Sequence, residues 1–149
     1  MYGYAGKMLD VDLTSGKIKE LPVGEGLARD YLGGLGFNAR LLYEEIPSGA
    51  DPLGPENVLV FCAGALVGTN VPTASRTEAS ALSPATNLFG TANSGNFWGG
   101  ELKFAGFDGV IIRGRKKTTR KKARPRVICE QSKASPRPIR NCTAQPTST

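Results

Sequence analysis

The 149-residue sequence contains no histidine. That removes the commonest general base and the commonest metal ligand from its own side chains. Self-contained catalysis would have to rest on carboxylates, lysines or a lone thiol, and no constellation of those stands out. Cysteine is scarce too: Cys62, Cys129 and Cys142 form no C-x-x-C pair and leave one over. A reduced, intracellular chain fits that usage better than a disulfide-stapled one. No run of about 18 apolar residues is present, so no membrane-spanning helix is expected. The opening MYGYAGK carries neither a basic leader nor an apolar signal-type stretch, and a cytoplasmic location is the expectation.

Glycine and acid both run out at one point. Residues 1–114 hold all 19 glycines together with 8 Lys+Arg and 12 Asp+Glu, a net charge of −4. Residues 115–149 hold no glycine, 11 basic residues and the single acid Glu130, a net charge of +10. That second part has four prolines and almost no apolar periodicity, so it reads as a basic, disordered tail beginning at Arg115. Its first twelve residues carry eight positive charges, which keeps a second reading open: a binding module whose tail grips nucleic acid or another polyanion.

The body reads as a mixture of strands and short helices. GKMLDVDLTSGKIKELP alternates apolar and polar residues on both sides of Thr14-Ser15-Gly16, the pattern of a β-hairpin. Two helical stretches follow, over 25–32 and 37–46, separated by Gly33, Gly34 and Gly36 and ended by Pro47. NVLVFCAGALVG is a continuous apolar run of the kind found in a strand covered on both faces, with Cys62 inside it as a small buried hydrophobe. RTEASALS reads as a further strand, GNFWGGELKFAG as a helix and FDGVIIRG as a closing strand. Without a regular βαβ rhythm the fold class expected is α+β.

Three places invite a site. Gly34-Leu35-Gly36-Phe37-Asn38-Ala39 formally fits G-x-G-x-x-A, but a dinucleotide loop must follow a strand, and the residues before it look helical. A glycine break between two packed helices is the better reading. TANSG, residues 91–95, is better placed. With a helix beginning near Gly95, Thr91, Asn93 and Ser94 would surround its N-cap and leave free N–H groups for an anion. Gly95 would let a ligand approach the backbone where a Cβ would intrude. Arg76 stands where a polar loop leads into a strand, and its planar fork of donors suits a phosphate or a heterocycle edge. The plain alternative is a surface cation paired with Glu78.

Several long segments resemble one family: GKMLDVDLTSGKI, YLGGLGFNARLLYEEIPSGADPLGPENVLVFCAGALVGT, PTASRTEASALSP and NSGNFWGGELKFAGFDGVIIRG. Together they look like the N-terminal domain of the aldehyde ferredoxin oxidoreductases, from about Tyr4 to Gly114. The resemblance implies the first half of a duplicated α+β domain, and a chain truncated after about residue 114. It also implies an oxidoreductase that acts on aldehyde or oxo groups and passes electrons to ferredoxin, its chemistry carried by a tungsten (or molybdenum) bis-pterin cofactor beside a 4Fe–4S cluster. In that family an arginine after the PT-x-x loop contacts the pterin, which corresponds to Arg76. The Asn and Gly of the NSG segment contact the cofactor, which corresponds to Asn93 and Gly95, with Ser94 between them. The main-chain carbonyl at Asn93 would help hold a Mg²⁺ ion between the two pterin phosphates.

The family's cluster cysteines lie in later, C-terminal domains, so Cys129 and Cys142 are not matched to them, and the body alone is expected to be inactive. Family members continue past VIIRG with another strand, whereas this sequence turns to RKKTTRKKARPR. A shift of reading frame near codon 115 is therefore a hypothesis, and translating the underlying DNA in the other two frames tests it. Nucleic acid is then not the expected partner; ferredoxin, an aldehyde and the missing domains are.

Overall fold

A computed structural model describes residues 3–95 and 97–116. The basic tail and its two cysteines, apart from Arg115 and Lys116, lie outside the described residues. The elements run β1 (Lys7–Asp12), β2 (Lys17–Pro22), α1 (Glu25–Tyr31), α2 (Leu35–Glu45), β3 (Leu59–Ala63), β4 (Thr77–Leu82), β5 (Phe89–Ser94), α3 (Trp98–Phe104) and β6 (Gly109–Arg113). The six strands make one sheet in the order β2-β1-β6-β3-β4-β5. Only β1 and β6 run parallel; every other neighbouring pair is antiparallel. The expected α+β class is what this arrangement is.

In the hairpin β1–β2 the register sets Leu9, Val11 and Ile18 on one face and Met8 opposite Leu21 on the other, and Asp12 builds the turn. Asp12 Oδ1 accepts from the Thr14 and Ser15 N–H groups at 2.8 and 3.3 Å, and Oδ2 accepts from Ser15 Oγ at 2.7 Å. Strand alternation then sends Met8, Val60, Cys62 and Ile111 to one face of the sheet, where they meet Ala28 of α1 and Phe37 and Leu42 of α2. All are nearly or fully buried, and each large side chain contributes roughly 1.5–3 kcal/mol by leaving water. Cys62 lies in this core with its thiol pushed far above the ordinary value by burial, first, and by the Asp108 charge, second. It is a hydrophobe there, not a nucleophile.

Among the described residues the opposite face is only partly covered. There α3 packs on β3, its Trp98 ring 5.6 Å from that of Phe61. A Cβ at Gly99 would stand 2.3 Å from Thr77 Oγ1 and 3.0 Å from Val67, so the helix can approach this closely only through a glycine. That accounts for one glycine of the WGGELKF segment without any ligand. Leu59, at 37 % exposure, shows why the central run is not covered on both faces as its continuous apolarity implied. α3 reaches only part of that side.

The glycines between α1 and α2 have a packing reason as well. Leu32 ends α1 in the left-handed region at φ 59°, and Gly33 and Gly34 follow at φ 109° and 53°. Gly33 forms an isolated antiparallel bridge with Gly64. A Cβ at Gly36 would lie 2.1 Å from the Tyr31 carbonyl oxygen. A helix, not a strand, precedes the motif, so the dinucleotide reading is set aside on structure as it was on sequence.

Candidate functional site

The segment TANS is not a helix N-cap. Phe89–Ser94 is an edge strand, β5, paired in register with β4: Thr77 opposite Ser94, Glu78 opposite Asn93, Ser80 opposite Thr91. The helix that follows starts only at Trp98, its cap position is Phe97 in the right-handed helical region, and no side chain caps it. The expectation that Thr91, Asn93 and Ser94 ring a helix dipole is therefore corrected. The reason is the connection between β4 and β5, where Ser83 N–H donates to the Leu88 carbonyl at 2.9 Å and Asn87 turns the chain at φ 56°. That loop returns the chain against β4, and the strand hydrogen bonds then continue up to Ser94.

The strand register does what the helix cap was expected to do, by another route. It places Asn93 beside the residue that leads into β4, and Arg76 Nη1 donates to Asn93 Oδ1. Arg76 is exposed, and among the described residues no carboxylate pairs with it, Glu78 included. Glu78 is held instead by Thr91, whose hydroxyl donates to Oε2 at 3.2 Å. Thr91 in turn receives a 3.4 Å contact from Ser80 Oγ, and the buried Asn38 of α2 donates from Nδ2 to Ser80 Oγ at 2.9 Å and to the Glu78 carbonyl at 3.0 Å. This polar line was not anticipated; only the register of β5 and the helix position of Asn38 reveal it.

Of the four predicted residues, Arg76 and Asn93 are thus brought into contact. Ser94 follows on the opposite sheet face by strand alternation, and its hydroxyl donates to the Gly95 carbonyl at 3.0 Å. Gly95 is exposed, and a Cβ there would meet nothing closer than Ser75 Oγ at 3.5 Å. Packing among the described residues therefore does not demand glycine at 95, in contrast to Gly36 or Gly99. Glycine there leaves bare backbone next to a guanidinium and a carboxamide.

What this arrangement can do is bind. A planar cation with free donors, a carboxamide and an uncovered stretch of main chain suit a phosphate or the polar edge of a heterocycle. Among the described residues no group of three His, Cys, Asp or Glu side chains converges as a metal site. Nor is any described helix long and apolar enough to cross a membrane.

The comparisons with known proteins point one way. The family described as "Aldehyde ferredoxin oxidoreductase, N-terminal domain" matches residues 8–121. The tungsten-containing aldehyde ferredoxin oxidoreductase of Pyrococcus abyssi is 46% identical over 115 residues, covering 77% of this chain and 19% of the relative. An aliphatic sulfonate oxidoreductase, WOR-like subunit, of Pyrococcus furiosus is 40% identical over 122 residues, again 19% of its length. Among solved structures, the active-site complex BamBC of benzoyl-coenzyme A reductase with 1,5-dienoyl-CoA is similar at a TM-score of 0.76 and 42% identity, over 78% of this chain and 18% of that one. The chain spans about a fifth of the length of the relatives it matches.

Proposed function

The chain belongs to the aldehyde ferredoxin oxidoreductase family through that family's N-terminal domain, and from this premise we propose that residues 1–114 form part of the base on which a tungsten bis-pterin cofactor lies. The observation that carries the reading is the exposed Arg76–Asn93 pair beside Gly95, whose glycine no packing among the described residues requires. Arg76 would hold the pterin or its phosphate through the donors it does not spend on Asn93. Asn93, Ser94 and Gly95 would present main-chain groups to the phosphate side, with the Asn93 carbonyl a ligand for Mg²⁺, a hard cation that prefers oxygen. The residues fit the group because they are donors and bare backbone, and the bound cofactor supplies the redox chemistry itself.

In this reading the protein's part is positional. The chain's own side chains bind and orient, and oxidation of an aldehyde with transfer of electrons to ferredoxin needs the remaining polypeptide of the family, including the cysteines of a 4Fe–4S cluster. We place the protein in the cytoplasm, where a ferredoxin-coupled enzyme finds its acceptor. We read residues 115–149 as a basic, Pro/Ser/Thr-rich tail.

Inorganic pyrophosphate is the probe that tests the site. Titrated into the chain and followed by backbone amide shifts, it should move Asn93, Ser94 and Gly95, and Arg76→Ala should abolish those movements. Shifts confined to the basic stretch Arg115–Arg126, falling steeply with salt, would overturn the reading in favour of a polyanion-binding tail.

A further inference from the structure

Apart from the Arg76–Asn93 pair, the chain buries an ion pair that neither the fold class nor the proposed site calls for. Lys103 of α3 and Asp108, which precedes β6, have side chains 8% and 1% exposed, with Nζ 3.7 Å from Oδ1. Their hydrogen bonds go to main chain from two other segments. Lys103 Nζ donates to the Gly3 carbonyl at 2.6 Å and to the Ala65 carbonyl at 3.0 Å. Asp108 accepts from the Ala5 N–H at 2.9 Å and the Gly6 N–H at 2.7 Å.

Desolvation makes such a pair a poor source of stability, since well-packed apolar residues often serve as well. What it does is fix where two backbone segments lie. Ala65 follows Gly64, whose N–H donates to the Arg76 carbonyl at 3.4 Å and whose carbonyl accepts from Val67 N–H at 3.1 Å. On the other side, Tyr4 sits in the clasped segment, its ring 5.6 Å from Lys103 Nζ and 6.2 Å from the Phe37 ring, and its hydroxyl donates to the Leu32 carbonyl at 3.0 Å. Leu32 leads into Gly33, and Gly33 bridges to Gly64. Both strands of that bridge are therefore tied back to one ammonium group.

We infer that Lys103 is a positioning residue, which sets the backbone at Gly64 and through it the place where Arg76 meets Asn93. The inference rests on the reading of Arg76 as a ligand-binding residue, but its geometry can be tested without any ligand. A compact ammonium with three tetrahedral donors reaches two carbonyls and a carboxylate at once. A flat guanidinium on a longer stem does not.

The test is amide hydrogen exchange in the full chain, comparing Lys103→Met and Lys103→Arg with the wild type. The expected result is a selective loss of protection at Gly64, about tenfold beyond any change at Ile111 in the core strand β6, because local opening is read against global opening. Should Lys103→Met fail to fold, Lys103→Arg keeps the charge and is read in the same way. Exchange at Gly64 that stays at the wild-type rate, or that rises only in step with Ile111, overturns the inference and assigns the pair a general structural role. Pyrophosphate shifts at Asn93 that persist alongside such a result would leave the Arg76 reading standing, so the two fail separately.

Discussion

Arg76 and Asn93, 17 residues apart in sequence, are joined side chain to side chain where β4 and β5 open toward solvent. The pair costs little to break, because Arg76 is exposed and, among the described residues, lies outside the core cluster. Arg76→Ala should leave the unfolding free energy within about 0.5 kcal/mol of wild type, as surface substitutions usually do. It should nevertheless remove the amide shifts that pyrophosphate causes. A full-length family member with the matching change should lose tungsten on purification, measured by elemental analysis. Unchanged metal content would count against the role.

How far the sequence reveals this depends on which contacts are local. The β1–β2 hairpin, α1, α2, β3, β4, α3 and β6 were legible because each carries its own period or turn residues within a dozen positions. β5 was not. FGTANS has a glycine, few strand formers and an Asn-Ser end that equally fits a helix cap, so only its pairing with β4 decides. Arg76 and Asn93 were each legible as candidates by composition and resemblance, but their contact follows from the register of that pairing. The Lys103–Asp108 clasp was illegible for the same reason, since its partners at Gly3, Ala5, Gly6 and Ala65 lie 38 to 103 residues away.

Asn38 offers a test of the polar line beneath the site. It is fully buried on α2, and its Nδ2 serves both the Glu78 carbonyl and Ser80 Oγ. Asn38→Ala leaves those two acceptors without their donor and should cost about 2–3 kcal/mol, the penalty for unpaired buried polar groups. Asn38→Asp should cost more, since it buries a charge facing a carbonyl oxygen. Urea unfolding with an unchanged slope checks both; a loss below about 0.5 kcal/mol for Asn38→Ala would show that the line contributes nothing.

Two glycines in neighbouring helices should respond with opposite signs. Gly36 cannot accept a methyl group: its Cβ would overlap the Tyr31 carbonyl, so Gly36→Ala should destabilise by about 3 kcal/mol or more through forced backbone movement. Gly26 lies in α1 with nothing within 4 Å of its Cβ position and no left-handed φ. Gly26→Ala should stabilise by roughly 0.5–1 kcal/mol, from a less flexible unfolded chain and better helix propensity. Thermal unfolding of the two variants side by side settles the signs.

The hairpin turn supplies the pH dependence that can be predicted with a definite sign. Asp12 is held below the ordinary value of 3.8 chiefly by the Ser15 hydroxyl, then by the Thr14 and Ser15 amides, all of which donate to the ionised carboxylate. Its pKa is thus lower folded than unfolded, so its stabilising effect is complete above pH 3.8 and is lost as pH falls through the depressed folded value. Because the group lies in a surface turn, the effect should appear as local fraying of the β1–β2 turn rather than global unfolding. Amide shifts of Thr14 and Ser15 should titrate together with a midpoint below 3.8. Asp12→Asn keeps an acceptor but removes the titration, so a midpoint that survives in that variant would trace the transition to another group.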